Sequence, residues 1–154
     1  MAIKKLQGFF SLTQDQEAFQ TAFGLFGEEL FLRNLTVEKI GIESKGVYVD
    51  EEYLGELHIE GTAAKAPIEG KSPLSINFSD GIFLQDLFLS SSYGTIQGAL
   101  EIDWKGLIEG ALSTRSDELS LSFDEKILQG SWQSSIDFSR EEKQKIHLHL
   151  SGSN

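Results

Sequence analysis

The 154-residue sequence contains no cysteine and only two prolines. The missing thiols exclude disulfides, thiol catalysis and thiolate metal sites, although they leave the cellular compartment open. Basic residues are also few, because 13 Lys and Arg stand against 24 Asp and Glu for a formal net charge of -11. A surface this acidic repels phosphate backbones, so we expect no nucleic-acid partner.

Long hydrophobic runs are missing as well. The longest wholly apolar stretches are a few residues, whereas a membrane-spanning helix needs roughly 20. The basic start of the chain is followed by an apolar segment too short for a signal peptide, with no small-residue cleavage site. We therefore expect no membrane-spanning segment and one domain over residues 1–154, which is either cytoplasmic or an excised piece of a larger exported protein.

One helix is predicted near the start, over about residues 14–26. Thr13 and Gln16 have the spacing of a capping box, and Asp15 and Glu17 would lie in the first turn. Apolar residues then recur at helical spacing, at Phe19, Ala22, Phe23, Phe26 and Leu30. We interpret this stripe as packing against a core, with Gly24 and Gly27 ending the helix.

The hydrophobic period changes to two over about residues 30–150. Apolar and polar residues alternate in segments such as 74–78, 96–104, 119–123 and 146–150. Turn residues separate these segments at 45–46, 69–73, 79–81, 92–94 and 105–106. We expect an all-β antiparallel sheet that is curved or rolled, like a β-taco or a barrel, with the helix packed at an open end.

Two kinds of internal repetition support this fold. The segment at 30–37 resembles the segment at 82–89, type for type at all but one position. A shorter unit of an apolar residue, Gln or Glu, and Gly occurs six times, at 6–8, 59–61, 68–70, 96–98, 108–110 and 128–130. Its irregular spacing does not fit a solenoid but fits successive strands, each carrying a glycine that permits bending or close approach.

No group of residues has the pattern of a catalytic or metal site. His147 and His149 would share one face of a strand, but no third ligand is evident, and His58 stands alone. The acidic groups at 28–29 and 50–52 lack the spacing of a calcium loop. The sequence has no Gly-x-Ser-x-Gly motif and no phosphate-binding loop. We predict a protein that is not an enzyme and has no cofactor or metal.

The segment Gly81-Ile82-Phe83-Leu84-Gln85-Asp86-Leu87-Phe88-Leu89 is followed by the stretches Gly94 to Trp104 and Ile108 to Leu112, and a second copy of this pattern covers 30–37 and 55–61. Over about residues 28–139, this pattern resembles the repeat of TamB/AsmA-type envelope proteins. The resemblance implies a curved, groove-shaped sheet whose apolar interior carries lipid chains between the inner and outer membranes. It also implies a periplasmic location and, for some members, outer-membrane assembly proteins as partners.

If the chain is such a lipid module, its ligand would be phospholipid acyl chains or another apolar molecule. The alternation along the strands predicts one set of lipid-binding residues on a common face: Ile96, Leu100, Ile102, Trp104, Ile108 and Leu112. Gly98 and Gly110 interrupt this set and leave room for a chain.

Two alternatives remain open at this stage. A closed small-ligand barrel of the lipocalin type suits the length, although the Gly-x-Trp typical of its first strand occurs only at 130–132. A solid-core interaction domain would instead recruit partners at open strand edges.

Overall fold

A computed structural model describes residues 2–15, 18–32, 35–63, 65–123, 126–140 and 144–153. All regular secondary structure in these ranges is β-strand. The ten strands are β1 (Ala2–Asp15), β2 (Ala18–Leu32), β3 (Leu35–Val49), β4 (Glu52–Ala63), β5 (Ala66–Asn77), β6 (Gly81–Ser91), β7 (Gly94–Asp103), β8 (Ile108–Phe123), β9 (Lys126–Arg140) and β10 (Gln144–Ser153).

The strands form one antiparallel sheet in chain order, from β1 at one edge to β10 at the other. The predicted all-β antiparallel fold is confirmed. The sheet is not closed, because β1 and β10 pair with one neighbour each in the described ranges. It is therefore not the closed barrel that a lipocalin-type protein requires. No helix long and apolar enough to cross a membrane occurs among the described residues.

The predicted helix over 14–26 is wrong. Residues up to Asp15 belong to β1, residues from Ala18 onward belong to β2, and the two strands form a hairpin; Gln16 and Glu17 lie outside the described residues. The phenylalanines also fit a period of two, since Phe19 and Phe23 share one face of β2 while Phe26 stacks on Phe9 on the other. Pairing on both sides of β2 outweighs a weak helical pattern that contains two glycines.

Three of the five predicted turns are confirmed, namely those near residues 79–81, 92–94 and 105–106. The other two are wrong, because Gly46 lies within β3 and the segment 69–73 lies within β5. Gly46 instead faces Gly55 across β3 and β4, where the two backbones approach so closely that a Cβ on Gly46 would collide with the Leu54 carbonyl oxygen. The actual β3–β4 turn is made by Asp50 and Glu51, both with positive φ.

Pro73 lies in β5 beside an irregularity in the pairing with β6. The register of β5 and β6 shifts between Lys71 and Leu74, and β6 carries one extra residue there. Asp86 in this bulge has a left-handed φ of 50°. A proline cannot donate to a strand ladder, so a bulge on the neighbouring strand is a place where it is tolerated.

Candidate functional site

The sheet has one apolar face, which we call the inner face, and one largely polar outer face. Strand pairing places inward side chains opposite one another in continuous rows. One row crosses seven strands, with aromatic and then aliphatic members: Phe19, Tyr48, Tyr53, Ile76, Ile82, Ile102 and Ile108. The alternation in sequence is thus kept in register from strand to strand, so that the apolar residues converge on one surface.

The inner face is most tightly packed around β3 to β5. Tyr53, Leu57 and Leu74 are buried there, and half-buried apolar side chains surround them, among them Phe23, Ile42, Ile59 and Leu84. The ring centroids of Phe23 on β2 and Tyr53 on β4 are 5.6 Å apart, although β3 lies between these strands. This cluster is the core of the molecule as far as the structure describes it.

Two polar groups are buried in the same region, and each has a hydrogen-bond partner. The hydroxyl groups of Ser44 and Tyr53 are 2.6 Å apart. Burial raises the pKa of Tyr53, while the hydrogen bond with Ser44 opposes this shift by stabilising the phenolate. The Ser72 hydroxyl lies 2.8 Å from the Gln85 carbonyl oxygen, to which it donates at the β6 bulge. Sequence alone gave no signal for either serine.

Five of the six predicted lipid-binding residues share the inner face. Register places Ile96, Leu100 and Ile102 on β7 opposite inward positions of β6 and β8, and it places Ile108 and Leu112 on β8 in the same rows. All five are half-buried and lie beside the packed cluster rather than within it. The spacing in sequence therefore identified a real common surface.

Trp104 does not belong to that surface. It follows the end of β7, where the Asp103 carboxylate accepts hydrogen bonds from the backbone N–H groups of Lys105 and Leu107 and forms a turn. The indole is 51% exposed, and its Nε1 donates to the Asn77 carbonyl oxygen at 3.2 Å. The period of two does not continue past Asp103, so its extrapolation to Trp104 did not hold.

The two glycines of the predicted site also face inward, but for a backbone reason. Gly98 lies opposite Leu112, and Gly110 lies opposite Leu100. A Cβ on Gly98 would collide with the Ala111 carbonyl oxygen, and one on Gly110 with the Ala99 carbonyl oxygen. Both glycines have positive φ, so they permit a close approach of β7 and β8 that no other residue allows.

The short repeat of an apolar residue, Gln or Glu, and Gly occurs at most once in any strand. Its six units lie in six different strands, β1, β4, β5, β7, β8 and β9. The units of β4 and β5 pair with each other, with Glu60 opposite Glu69 on the outer face. The two copies of the longer repeat lie differently in the sheet, since residues 82–89 are all in β6, whereas 30–32 end β2 and 35–37 begin β3, with 33 and 34 outside the described residues.

The inner face ends in exposed apolar side chains at both edges of the sheet. On β1 these are Leu6, Phe10 and Leu12, and on β10 they are Ile146, Leu148 and Leu150. No second layer of sheet or helix covers the inner face in the described ranges, and substantial backbone contacts join consecutive strands alone. A continuous apolar surface is therefore open at its margins.

The outer face carries histidine and charged side chains. His149 lies 3.8 Å from Asp137, and His58 lies 3.7 Å from Glu56. His147 and His149 are both exposed on β10, as predicted. The described residues contain no group of three or more His, Asp or Glu side chains positioned to hold a metal ion. Shallow outer-face grooves are lined by hydroxyl and amide groups at one end and by Glu60, Glu69 and Lys39 at the other.

No protein-family model, no curated protein and no solved structure matches this chain.

Proposed function

We propose that this chain is a non-enzymatic module of the cell envelope that holds phospholipid acyl chains or similar apolar molecules along its inner face. The observation that supports this most directly is the continuous apolar surface across ten strands with no second layer over it in the described ranges. Apolar patches of this extent on a soluble protein usually mark a binding surface. Lipid transport or outer-membrane assembly between two membranes, with a periplasmic location, is the setting in which such a surface would act.

The proposed site is the β7–β8 part of the inner face, lined by Ile96, Leu100, Ile102, Ile108 and Leu112. These residues are half-buried, whereas Tyr53, Leu57 and Leu74 in the neighbouring cluster are buried. The cluster would hold the sheet together, and the less buried part would accept the ligand. Gly98 and Gly110 add two inward positions without a side chain, opposite Leu112 and Leu100, where the ligand would contact backbone.

The proposal includes curvature of the sheet toward the inner face. Strands two apart in a flat sheet are separated by about 9–10 Å, which is twice the ordinary strand spacing. Rings from two such strands nevertheless approach closely, since the ring centroids of Phe23 on β2 and Tyr53 on β4 are 5.6 Å apart. Bending around β3 to β5 accounts for this approach and would turn the inner face into a trough.

The test compares two aspartate substitutions at adjacent positions of β7. Leu100→Asp places a carboxylate on the inner face, and Ala99→Asp places the same charge on the exposed outer face. Each protein is mixed with phosphatidylethanolamine–phosphatidylglycerol vesicles containing a fluorescent phospholipid, and protein-bound lipid is measured by native mass spectrometry and fluorescence. We expect the wild type and Ala99→Asp to extract phospholipid, and Leu100→Asp to stay folded and extract none.

Two outcomes would contradict the proposal. Unfolding of Leu100→Asp would indicate a dry core, because an unpaired carboxylate there costs several kcal/mol out of the ~5–15 kcal/mol of a domain's stability. Normal lipid extraction by a folded Leu100→Asp variant would show that the ligand binds elsewhere.

A second candidate function is a solid-core interaction domain without a lipid ligand. The packed cluster of Tyr53, Leu57 and Leu74 favours it, because a buried core of this kind needs no ligand for stability. Under this alternative the wild type extracts no phospholipid, and Leu100→Asp is strongly destabilised in urea.

A further inference from the structure

The free edge of β1 differs from the usual edge of a natural sheet. β1 pairs with β2 on one side, and no strand of the described ranges pairs with its other side. At every second residue of β1, the backbone N–H and C=O groups therefore point away from the sheet. Natural edge strands are commonly short or carry lysine, proline or an inward charge, which prevents added strands from pairing. β1 has 14 residues, and its segment 6–14 contains neither a charge nor a proline.

The opposite edge is less suited to pairing with itself. β10 carries Lys145, His147 and His149 as exposed side chains on its outer face. If a second β10 paired with it antiparallel about His147, Lys145 of each copy would lie opposite His149 of the other. In that register a histidine, and no carboxylate, lies opposite Lys145. Self-pairing of β10 therefore brings no opposite charges together, which distinguishes it from self-pairing of β1.

We propose that β1 pairs antiparallel with β1 of a second copy of this chain, with Phe10 facing Phe10 on a two-fold axis. In this register Gly8 lies opposite Leu12, and Lys5 lies opposite Asp15. Inward residues meet inward residues, so the two inner faces become one continuous surface of twice the width. The pairing also satisfies the free backbone groups of both edges.

The side chains of β1 are complementary in this register. Phe10 is 68% exposed and Leu12 is 53% exposed, and both lose exposed apolar area in the pair. Gly8 has no side chain, which leaves space for Leu12 of the second copy. Lys5 already contacts Glu28 of its own chain at 3.2 Å, and Asp15 of the second copy adds a second carboxylate beside the ammonium group. Because of the two-fold axis, this contact occurs twice.

Self-pairing of β1 is preferred over pairing of β1 with β10 of another copy. Residues 145–152 of β10 contain no carboxylate to meet Lys5. Pairing between unlike edges also leaves a free edge at each end and produces open-ended filaments, whereas pairing about a two-fold axis closes at two copies. The proposal therefore specifies a dimer.

The test is sedimentation velocity of the full 154-residue chain over a range of concentrations. We expect the mass to rise from 17.1 kDa to twice that value as concentration increases. Phe10→Lys places two ammonium groups face to face on the axis, so this variant stays a monomer. Leu150→Lys is the matched control, because Leu150 is 70% exposed on the inner face of β10 and its substitution leaves the β1 edge intact. This control remains a dimer, and circular dichroism verifies that both variants are folded.

The register is tested by oxidative crosslinking. Because the chain has no native cysteine, each cysteine variant contains a single thiol. With diamide as the oxidant, Phe10→Cys should form a disulfide-linked dimer much faster than Phe9→Cys, because residue 10 faces itself and residue 9 faces residue 11. A monomeric wild type at all concentrations, concentration-dependent filaments, or loss of the dimer in Leu150→Lys with its retention in Phe10→Lys would each overturn the proposal. Faster crosslinking at position 9 would overturn the register.

Discussion

The Tyr53 side chain extends along β4 over Gly55, and its hydroxyl meets that of Ser44 on β3 at 2.6 Å. A Cβ on Gly55 would overlap the tyrosine hydroxyl, so the glycine is what allows the ring to take this position. Tyr53 is 4% exposed and Ser44 is fully buried. The two hydroxyls therefore satisfy each other in a region where water does not reach.

Removing one hydroxyl of this pair should lower the free energy of unfolding more than removing both. Tyr53→Phe leaves the Ser44 hydroxyl buried without its partner, and Ser44→Ala does the same to Tyr53, at a cost of about 1–3 kcal/mol each. The double variant should recover part of that loss. Urea unfolding of all four proteins measures the coupling free energy, and strictly additive losses would show that the two hydroxyls do not depend on each other.

Stability should fall at alkaline pH because of Tyr53. Burial raises its folded-state pKa above the ordinary value of 10.0, so above pH 10.0 the unfolded chain releases this proton before the folded protein does. The contribution is fully present below the unfolded pKa and is lost as the pH rises through the folded pKa. Urea unfolding across this range should show a steeper loss in the wild type than in Tyr53→Phe. Parallel curves for the two proteins would contradict this.

Alanine at Gly110 should be far more harmful than alanine at Gly106. Both glycines have positive φ, of 133° and 81°, so both substitutions strain the backbone by about 1–3 kcal/mol. A Cβ at Gly110 would also collide with the Ala99 carbonyl oxygen, whereas nothing lies within 4 Å of one at Gly106. The difference between the two variants in thermal unfolding isolates the close approach of β7 and β8. Equal losses would mean that this approach is not needed.

Trp132→Phe should leave stability unchanged or raise it slightly. The Nε1 atom of Trp132 is buried and has no hydrogen-bond partner in the described part of the chain. An unsatisfied buried donor costs about 1–3 kcal/mol, which offsets the packing lost with the smaller ring. A matched substitution, Trp104→Phe, removes an indole whose Nε1 is bonded to Asn77 and should not gain stability. A clear destabilisation of Trp132→Phe alone would indicate that its indole has a polar partner.

Alternation in sequence predicted the antiparallel sheet and most of the candidate site because register preserved it. Direct pairs such as Leu84 with Leu100 and Ile102 with Ile108 join inward positions of consecutive strands. Alternate positions along one strand therefore predict which residues of the neighbouring strands face inward. The alternation of faces stops where a strand ends, so it does not place Trp104, which follows the last residue of β7, on the inner face.

Local composition misled where pairing decided the structure. Gly70 and Pro73 in the 69–73 segment are typical of turns, yet the segment lies within β5 because β4 and the bulged β6 flank it. The helical spacing of Phe19, Phe23 and Phe26 was likewise overridden by pairing with β1 and β3. The role of Ser72 at the bulge depends on Gln85, thirteen residues away, and no local pattern encodes that contact.

In the described ranges, substantial backbone contacts join consecutive strands alone, and this has a consequence for how such a chain changes in length. Adding or deleting a complete hairpin at any turn would disturb a single ladder and leave every other pair of strands with its partner. A single added strand would instead reverse the direction of all the strands that follow. Growth by strand pairs, as in repeat proteins whose units touch only their neighbours, would widen the apolar surface without redesigning its existing rows.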